Sequence, residues 1–344
     1  MTTTHLVDER ITLKYGAGGS AMRSLIEQIF AVGFGDVPGG VGLAAMDDGA
    51  ALPIGDRWLV LTTDAHVVQP IVFPGGDIGR LAVCGTVNDL AMMGATEPLA
   101  LTCAVILEDG FPRSELERIW ASIRVACGEA GTTIVTGDTK VMRKGELDRI
   151  ALTTTGVALT SRVVTDRGLR PGDRILVTGT MGDHGLAILA TRGELALDLA
   201  LASDVAPLNG LIRRALAVGG QAIVAMKDPT RGGLASALHD MAEKSGVGVI
   251  LDERAVPVRD EVRAAGELLG IDPLLVANEG KAVIGVAPEL ADAVLDAIRS
   301  HPLGRSAAMI GECVADRPGS VIAETGFGRR LLGEAEGELL PRIC

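Results

Sequence analysis

The chain has 344 residues, a length typical of two domains, and a formal net charge of −12. No basic stripe opposes that acidity, which argues against nonspecific binding to nucleic acid or to an anionic membrane. Apolar residues make up 47% and aromatic residues only 2%, so the cores must be built from Ala, Val, Leu and Ile, as in glycine-rich α/β proteins.

In chain order, a glycine-rich segment, Tyr15 to Ser20, leads into a helical pattern over Ala21–Val32. Runs rich in Val, Ile, Leu and Thr predict strands at Trp58–Thr63, Leu99–Ile106, Thr133–Thr136 and Ile150–Leu159. Helices are expected between them at Asp77–Met93 and Arg113–Ala130, the latter with Ser114 as its cap. A turn-rich passage from Ser161 to Asp173 separates the halves. The second half predicts strands at Arg174–Thr178, Gly248–Leu251, Lys281–Val286, Met309–Val314 and Ser320–Ala323. Its helices are expected near Gly185–Arg192, Gly233–Ser245, Asp260–Leu269 and Glu289–Ser300. The organisation expected is an α/β domain over residues 1–163, a second over 164–332, and a mobile tail over 333–344 rich in glycine and acids.

No apolar run approaches the ~20 residues a membrane helix needs, and the N-terminus lacks a signal-peptide pattern. The five cysteines include no C-x-x-C pair, which indicates a reducing compartment, so a cytoplasmic protein is expected. Cys84, Cys103, Cys127 and Cys313 sit in apolar stretches and read as small core residues. Cys344 ends the sequence, after Pro341-Arg342-Ile343. It is either a frayed end or a working thiol on an arm whose ~11 residues reach about 35 Å when extended. The neighbouring α-carboxylate disfavours its thiolate, so the sulfur needs help wherever it acts.

Several aspartates sit in turns beside apolar elements: Asp47 and Asp48 in MDDGA, Asp64 in LTTDA, Asp89 in TVNDLA and Asp138 in TGDTK. Singly, each reads as a cap or turn former. Together, if the predicted strand ends at Asp64 and Asp138 lie side by side, they form a carboxylate set that suits Mg²⁺ shared with phosphate oxygens. The histidines show no zinc-like spacing.

The segment YGAGGS matches neither the P-loop nor the dinucleotide-binding pattern. It either presents backbone N–H groups to an anion or is a plain loop with Ser20 as helix cap. Glycine turns also open helices at FPGGDIG (73–79), TGTMGDHG (178–185) and DPTRGG (228–233). Within them His184 reads as a turn or cap residue, with a catalytic base as the alternative, and Arg231 either grips phosphate or caps a carbonyl. Glu279 in the turn ANEGK is a solvated loop acid, or a general base if partly buried.

Taken together, GAGGS, FPGGDIGRLAVCGTVNDLAM, TGDTKV, GDHG, DPTRGG, NEGK, HPLG and the terminal PRIC resemble the HypE family of hydrogenase-maturation carbamoyl dehydratases. That family lies within the superfamily of aminoimidazole ribonucleotide synthetase and selenophosphate synthetase. The resemblance spans nearly the whole chain. It implies a PurM-like two-domain fold whose N-terminal sheet closes a barrel across a homodimer. It implies ATP in the cleft, with Gly18, Gly19, Thr139 and Arg231 in its site, and Mg²⁺ on Asp48, Asp64, Asp89 and Asp138. Cys344 would be the family's thiol, carbamoylated by the carbamoyltransferase HypF and dehydrated to a thiocyanate whose cyanide passes to iron on HypC–HypD. Lys140 and Glu279 match residues that handle the carboxamide, and Glu279 is the simpler base because Lys140 must first be neutral. Two other readings remain: a non-catalytic scaffold using the tail as a docking peptide, or another ATP-dependent synthetase of the superfamily. Residues 14–20 contain no cysteine, which disfavours selenophosphate synthetase.

Overall fold

The computed structural model describes residues 7–35, 37–192, 200–334 and 343–344. Most of the expected tail, residues 335–342, lies outside the described residues. In chain order the first half runs α1 (Gly19–Leu25), β1 (Ala50–Ile54), β2 (Arg57–His66), the short pair β3 (Val72–Phe73) and β4 (Gly76–Asp77), then α2 (Ile78–Met92), β5 (Pro98–Glu108), α3 (Arg113–Ala130), β6 (Ile134–Met142) and β7 (Ile150–Thr160). The second half runs β8 (Arg174–Val177), α4 (Asp183–Thr191), α5 (Asn209–Gly219), β9 (Ile223–Lys227), α6 (Gly233–Ser245), β10 (Gly248–Asp252), α7 (Asp260–Leu269), β11 (Val283–Val286), α8 (Ala291–Arg299), β12 (Ala308–Val314), β13 (Val321–Thr325) and β14 (Gly328–Leu331).

The first sheet has the order β1-β2-β7-β5-β6, antiparallel except for β5 and β6, which run parallel and are joined through α3. Alternation along β5 buries Leu101, Cys103, Val105 and Leu107 against α2 and α3. In α3, Ile119, Ile123, Ala126, Cys127 and Ala130 recur at helical spacing, making the buried stripe that lays the helix on that core. Its N-cap is Pro112 and makes no side-chain cap bond, so Ser114 lies inside the helix and is not its cap. The four cysteines expected in the core, Cys84, Cys103, Cys127 and Cys313, are all buried.

The second sheet has the order β14-β13-β10-β12-β8-β11-β9. Its central strands are buried on both faces, which is why they read as continuous apolar runs. Ile175 and Val177 pack with α6, whereas Leu176 and Ile284 pack with α5 and α8. Strands β1, β3, β4, β9 and β14 and helix α5 have no counterpart among the elements expected from the sequence.

Two expected strand ends are not ends. Strand β2 continues to His66 and β6 to Met142, so Asp64 and Asp138 both lie within strands. Strands β7 and β5 separate them, and the register runs Asp64, Thr154, Cys103, Gly137 across the sheet. Alternation therefore turns Asp138 to the opposite face, about 14 Å away at ordinary strand spacing. Within one chain the two carboxylates do not converge.

Candidate active site

A cleft of about 450 Å³ lies between the two halves, lined by Gly18 and Gly19, the 47–50 turn, β2, α2, the 227–231 turn, α6, Glu279 and Cys344. Two glycines allow close approaches here. A Cβ on Gly85 of α2 would stand 2.9 Å from Asp64 Oδ2, so glycine lets that carboxylate lie against the helix. Gly18 has φ +83°, and a Cβ there would stand 2.9 Å from the Arg231 carbonyl oxygen. The YGAGGS loop thus packs directly on the DPTRGG turn. Gly18 is also the N-cap of α1, which places Ser20 inside the helix and not at its cap.

Asp48, Asp64, Asp89 and Asp228 share the cleft with Glu279. Thr62 Oγ1 donates to Asp89 Oδ2 at 2.8 Å, and Lys227 Nζ donates to Asp48 Oδ1 at 2.9 Å. Lys227 and Lys244 both also reach the buried Asp166. These lysines do not neutralise the whole set. Burial, followed by the charge of Asp228, raises the pKa of Asp89 well above the ordinary carboxylate value. Burial and Asp48 push Asp228 up to about 8, and burial with Asp166 pushes Asp47 to about 7. Asp48 Oδ2 and Glu279 Oε1 are buried without a hydrogen-bond partner. A crowded set of carboxylate oxygens short of donors fits a hard divalent cation. Among the described residues, no group of three or more His, Cys, Asp or Glu side chains is placed to hold a metal ion by itself. Mg²⁺ commonly takes its remaining ligands from phosphate and water, so the open arrangement fits that ion.

Glu279 is not the solvated loop acid that is the default for such a turn: only 3% of it is exposed. Its turn is held from several sides. Asn88 Nδ2 donates to the Glu279 carbonyl, the Glu279 N–H donates to Asp204 Oδ1, and Asn278 Oδ1 accepts from the Gly182 N–H. Burial, then the charges of Asp228 and Asp64, hold its carboxyl pKa well above the usual range.

Cys344 also lines this cleft. Arg231 Nη1 donates to its Sγ at 3.3 Å, and the Val67 N–H donates to its backbone oxygen at 3.2 Å. Burial pushes the thiol up to about 12, while Arg231 pulls the other way. Ile343 is buried among Leu186, Ala187, Val262 and Val276. Its carbonyl accepts from His184 Nε2 at 2.6 Å, so His184 bonds the end of the chain and is not a turn or cap residue. At Glu334, near the start of the expected tail, Arg23 makes a two-pronged ion pair at 2.9 and 2.8 Å.

Among the residues singled out from the sequence, Gly18, Gly19, Asp48, Asp64, Asp89, Arg231, Glu279 and Cys344 therefore meet in one cleft. Asp138, Thr139 and Lys140 do not. They lie on β6, the exposed edge strand of the first sheet, where Lys140 pairs with Asp138 at 3.2 Å. Lys227 was not singled out, and nothing in its local sequence sets it apart from a surface lysine. Asp228 stood inside the quoted DPTRGG segment, and its flanking proline and glycines were the available signal.

Two apposed α/β units with an acid-lined cleft between them define the class. Residues 46–160 match the family model for the N-terminal domain of AIR synthase related proteins, and residues 170–324 match the model for their C-terminal domain. The carbamoyl dehydratase HypE of Cupriavidus necator is 49% identical over 97% of this chain and 95% of its own length. HypE in a HypE–HypF complex superposes with a TM-score of 0.84 at 44% identity, covering 90% of this chain and 99% of that one. HypE in complex with ATP gives a TM-score of 0.80 at 43% identity, covering 97% and 100%. The chain belongs to the HypE family.

Proposed function

We propose that the protein is an ATP-dependent carbamoyl dehydratase whose substrate is its own Cys344, modified as an S-carboxamide. The observation that carries this reading is the position of the Cys344 sulfur, inside an acid-lined cleft and 3.3 Å from Arg231. Membership of the HypE family, together with relatives named as carbamoyl dehydratases and one solved with ATP, supports it.

A thiocarbamate, S–C(=O)–NH₂, does not readily lose water because its oxygen is a poor leaving group. Transfer of the γ-phosphoryl group of ATP to that oxygen, with loss of one of the two nitrogen protons, yields ADP and an iminophosphate that keeps the other. Departure of phosphate, with loss of the nitrogen proton, leaves S–C≡N. Arg231 holds the sulfur and places a fixed cation beside the reacting carbon. Glu279, buried in the same cleft, takes the proton from nitrogen in its ionised form, and its raised pKa makes it a strong base in that state. Asp48, Asp64 and Asp89 are the residues of this cleft that would hold Mg²⁺, which offsets phosphate charge and the repulsion among these acids.

Asp138, Thr139 and Lys140 serve the cleft of a second copy in this reading. Strand β6 leaves Val135 and Val141 61% and 65% exposed on an unpaired sheet edge, which suits closure of a barrel across a homodimer. HypF delivers the carbamoyl group, and HypC–HypD accepts the cyanide during [NiFe]-hydrogenase assembly. Units over 1–163 and 164–332 with a carrier tail over 333–344, working in the cytoplasm, complete the assignment. No helix among the described residues is long and apolar enough to cross a membrane.

The test is to incubate carbamoylated protein with MgATP and weigh the C-terminal peptide. Loss of one water on Cys344 is expected, and Cys344→Ala should bind ATP but make no thiocyanate. An unchanged mass would overturn the enzyme reading and favour a docking scaffold.

A further inference from the structure

His184 is buried with no exposed surface at the start of α4, yet the reaction above gives it no role. Both its ring nitrogens are engaged. Nε2 lies 2.6 Å from the Ile343 carbonyl oxygen and Nδ1 lies 2.8 Å from Ser203 Oγ. A carbonyl oxygen only accepts, so Nε2 must carry the proton. In the neutral ring Nδ1 then accepts from the Ser203 hydroxyl, whose oxygen accepts in turn from the Val205 N–H at 3.1 Å. Burial lowers the His184 pKa, which favours this neutral form. The Phe73 ring meets the imidazole edge-on, with centroids 5.5 Å apart, and limits its rotation. The donor is therefore fixed in tautomer and direction before the tail arrives.

We propose that His184, oriented by Ser203, is a latch for the cleft-bound state of the chain's end: it grips the Ile343 carbonyl and thereby sets the position of the Cys344 sulfur beside Arg231. This rests on the reading that Cys344 reacts in the cleft. His184 is a positioning residue, since it touches the backbone one residue before the thiol and not the reacting atoms. A carbonyl is present whatever side chain follows, so the imidazole reads the path of the backbone, while the apolar pocket around Ile343 reads the side chain. The same bond has to break each time the sulfur leaves the cleft. The latch therefore sets how the tail divides its time between being modified outside and dehydrated inside.

Alkylation of Cys344 by iodoacetamide, followed on the C-terminal peptide of the full chain, tests the latch, because the other four cysteines are buried. Loss of one hydrogen bond should raise the alkylation rate of His184→Leu roughly fivefold to tenfold. His184→Gln, which keeps a donor near the Nε2 position, should stay close to the unmodified rate. Ser203→Ala should fall between them and keeps the test decisive if His184→Leu does not fold. In single turnover, His184→Leu should dehydrate carbamoylated Cys344 more slowly with ATP affinity unchanged. Faster alkylation together with slower dehydration is the pattern expected of a latch, whereas general damage would also lower ATP binding. Equal alkylation rates in folded His184→Leu, Ser203→Ala and unmodified protein would overturn the proposal. If the unmodified carbamoylated protein loses no water with MgATP, the dehydratase reading fails while the alkylation series still decides the latch.

Discussion

Arg231 Nη1 and Cys344 Sγ lie 3.3 Å apart, although 113 residues separate them in the chain. Arg231 has a second role in shaping the cleft, because its backbone carbonyl packs against Gly18. Its cation opposes the burial that pushes the thiol up to about 12. Arg231→Met keeps much of the bulk and removes the charge. Dehydration of carbamoylated Cys344 should fall about a hundredfold or more, the usual cost of deleting one preorganised donor. Single-turnover formation of thiocyanate is the measurement, and a change of less than threefold would remove Arg231 from the chemistry.

Glu279→Gln keeps the shape of the buried turn and removes the base. Water loss should slow by about 10²–10⁴-fold, the range for a lost general base, with ATP affinity little changed. Full dehydration in Glu279→Gln, coupled with none in Lys140→Ala, would transfer the proton-handling role to Lys140.

Lys140 lies on the exposed edge strand and outside the cleft of its own chain. If it completes the cleft of a second copy, Lys140→Ala and Glu279→Gln should each be inactive alone. Mixing them equally should restore about a quarter of full activity, because half of the symmetric dimers are hybrids and each hybrid has one intact site. No recovery in mixed dimers verified by mass would show that Lys140 does not act in the cleft of a second copy.

The raised acids make stability depend on pH. Asp228 at about 8 and Asp47 at about 7 hold protons in the folded chain that ordinary carboxylates in the unfolded chain release near 4. Between those limits the folded state binds more protons, so stability falls as pH rises. The penalty is absent below about pH 4 and complete above about pH 8. The melting temperature without ligand should therefore drop between pH 6 and 8.5 by a few degrees, and Mg²⁺ should restore part of it at the upper end. Asp228→Asn should flatten the dependence. A melting temperature that rises over this interval would contradict the assigned shifts.

The helices were the most legible elements, and Arg113–Ala130, Gly233–Ser245 and Asp260–Leu269 have the bounds their apolar spacing predicts. Periodicity there reports a single buried face and needs no knowledge of the partner. Strand ends were less legible. The run Thr62-Thr63-Asp64 is polar, yet it stays in β2 because its backbone pairs with Gly156, Thr155 and Thr154 of β7. Hydrogen bonds to a neighbouring strand leave no mark on local composition. The second half's β9 and α5 were missed for a related reason, since their apolar residues are recognisable as a face only once the opposing sheet and helix are in place.

The sequence by itself determined the two-part α/β plan, the acid-rich and glycine-rich motifs, and the family those motifs indicate. Each depends on residue type and short-range spacing, which the chain carries directly. Only the tertiary structure decided which motifs share a site. It brought Asp48, Asp64, Asp89, Glu279 and Arg231 to one cleft with Cys344 and left Asp138 and Lys140 on the far strand, because sheet order and register are settled by packing across the whole domain. It also turned His184 from a turn residue into a partner of Ile343. That contact joins positions 159 residues apart and is visible only after both halves have folded around the end of the chain.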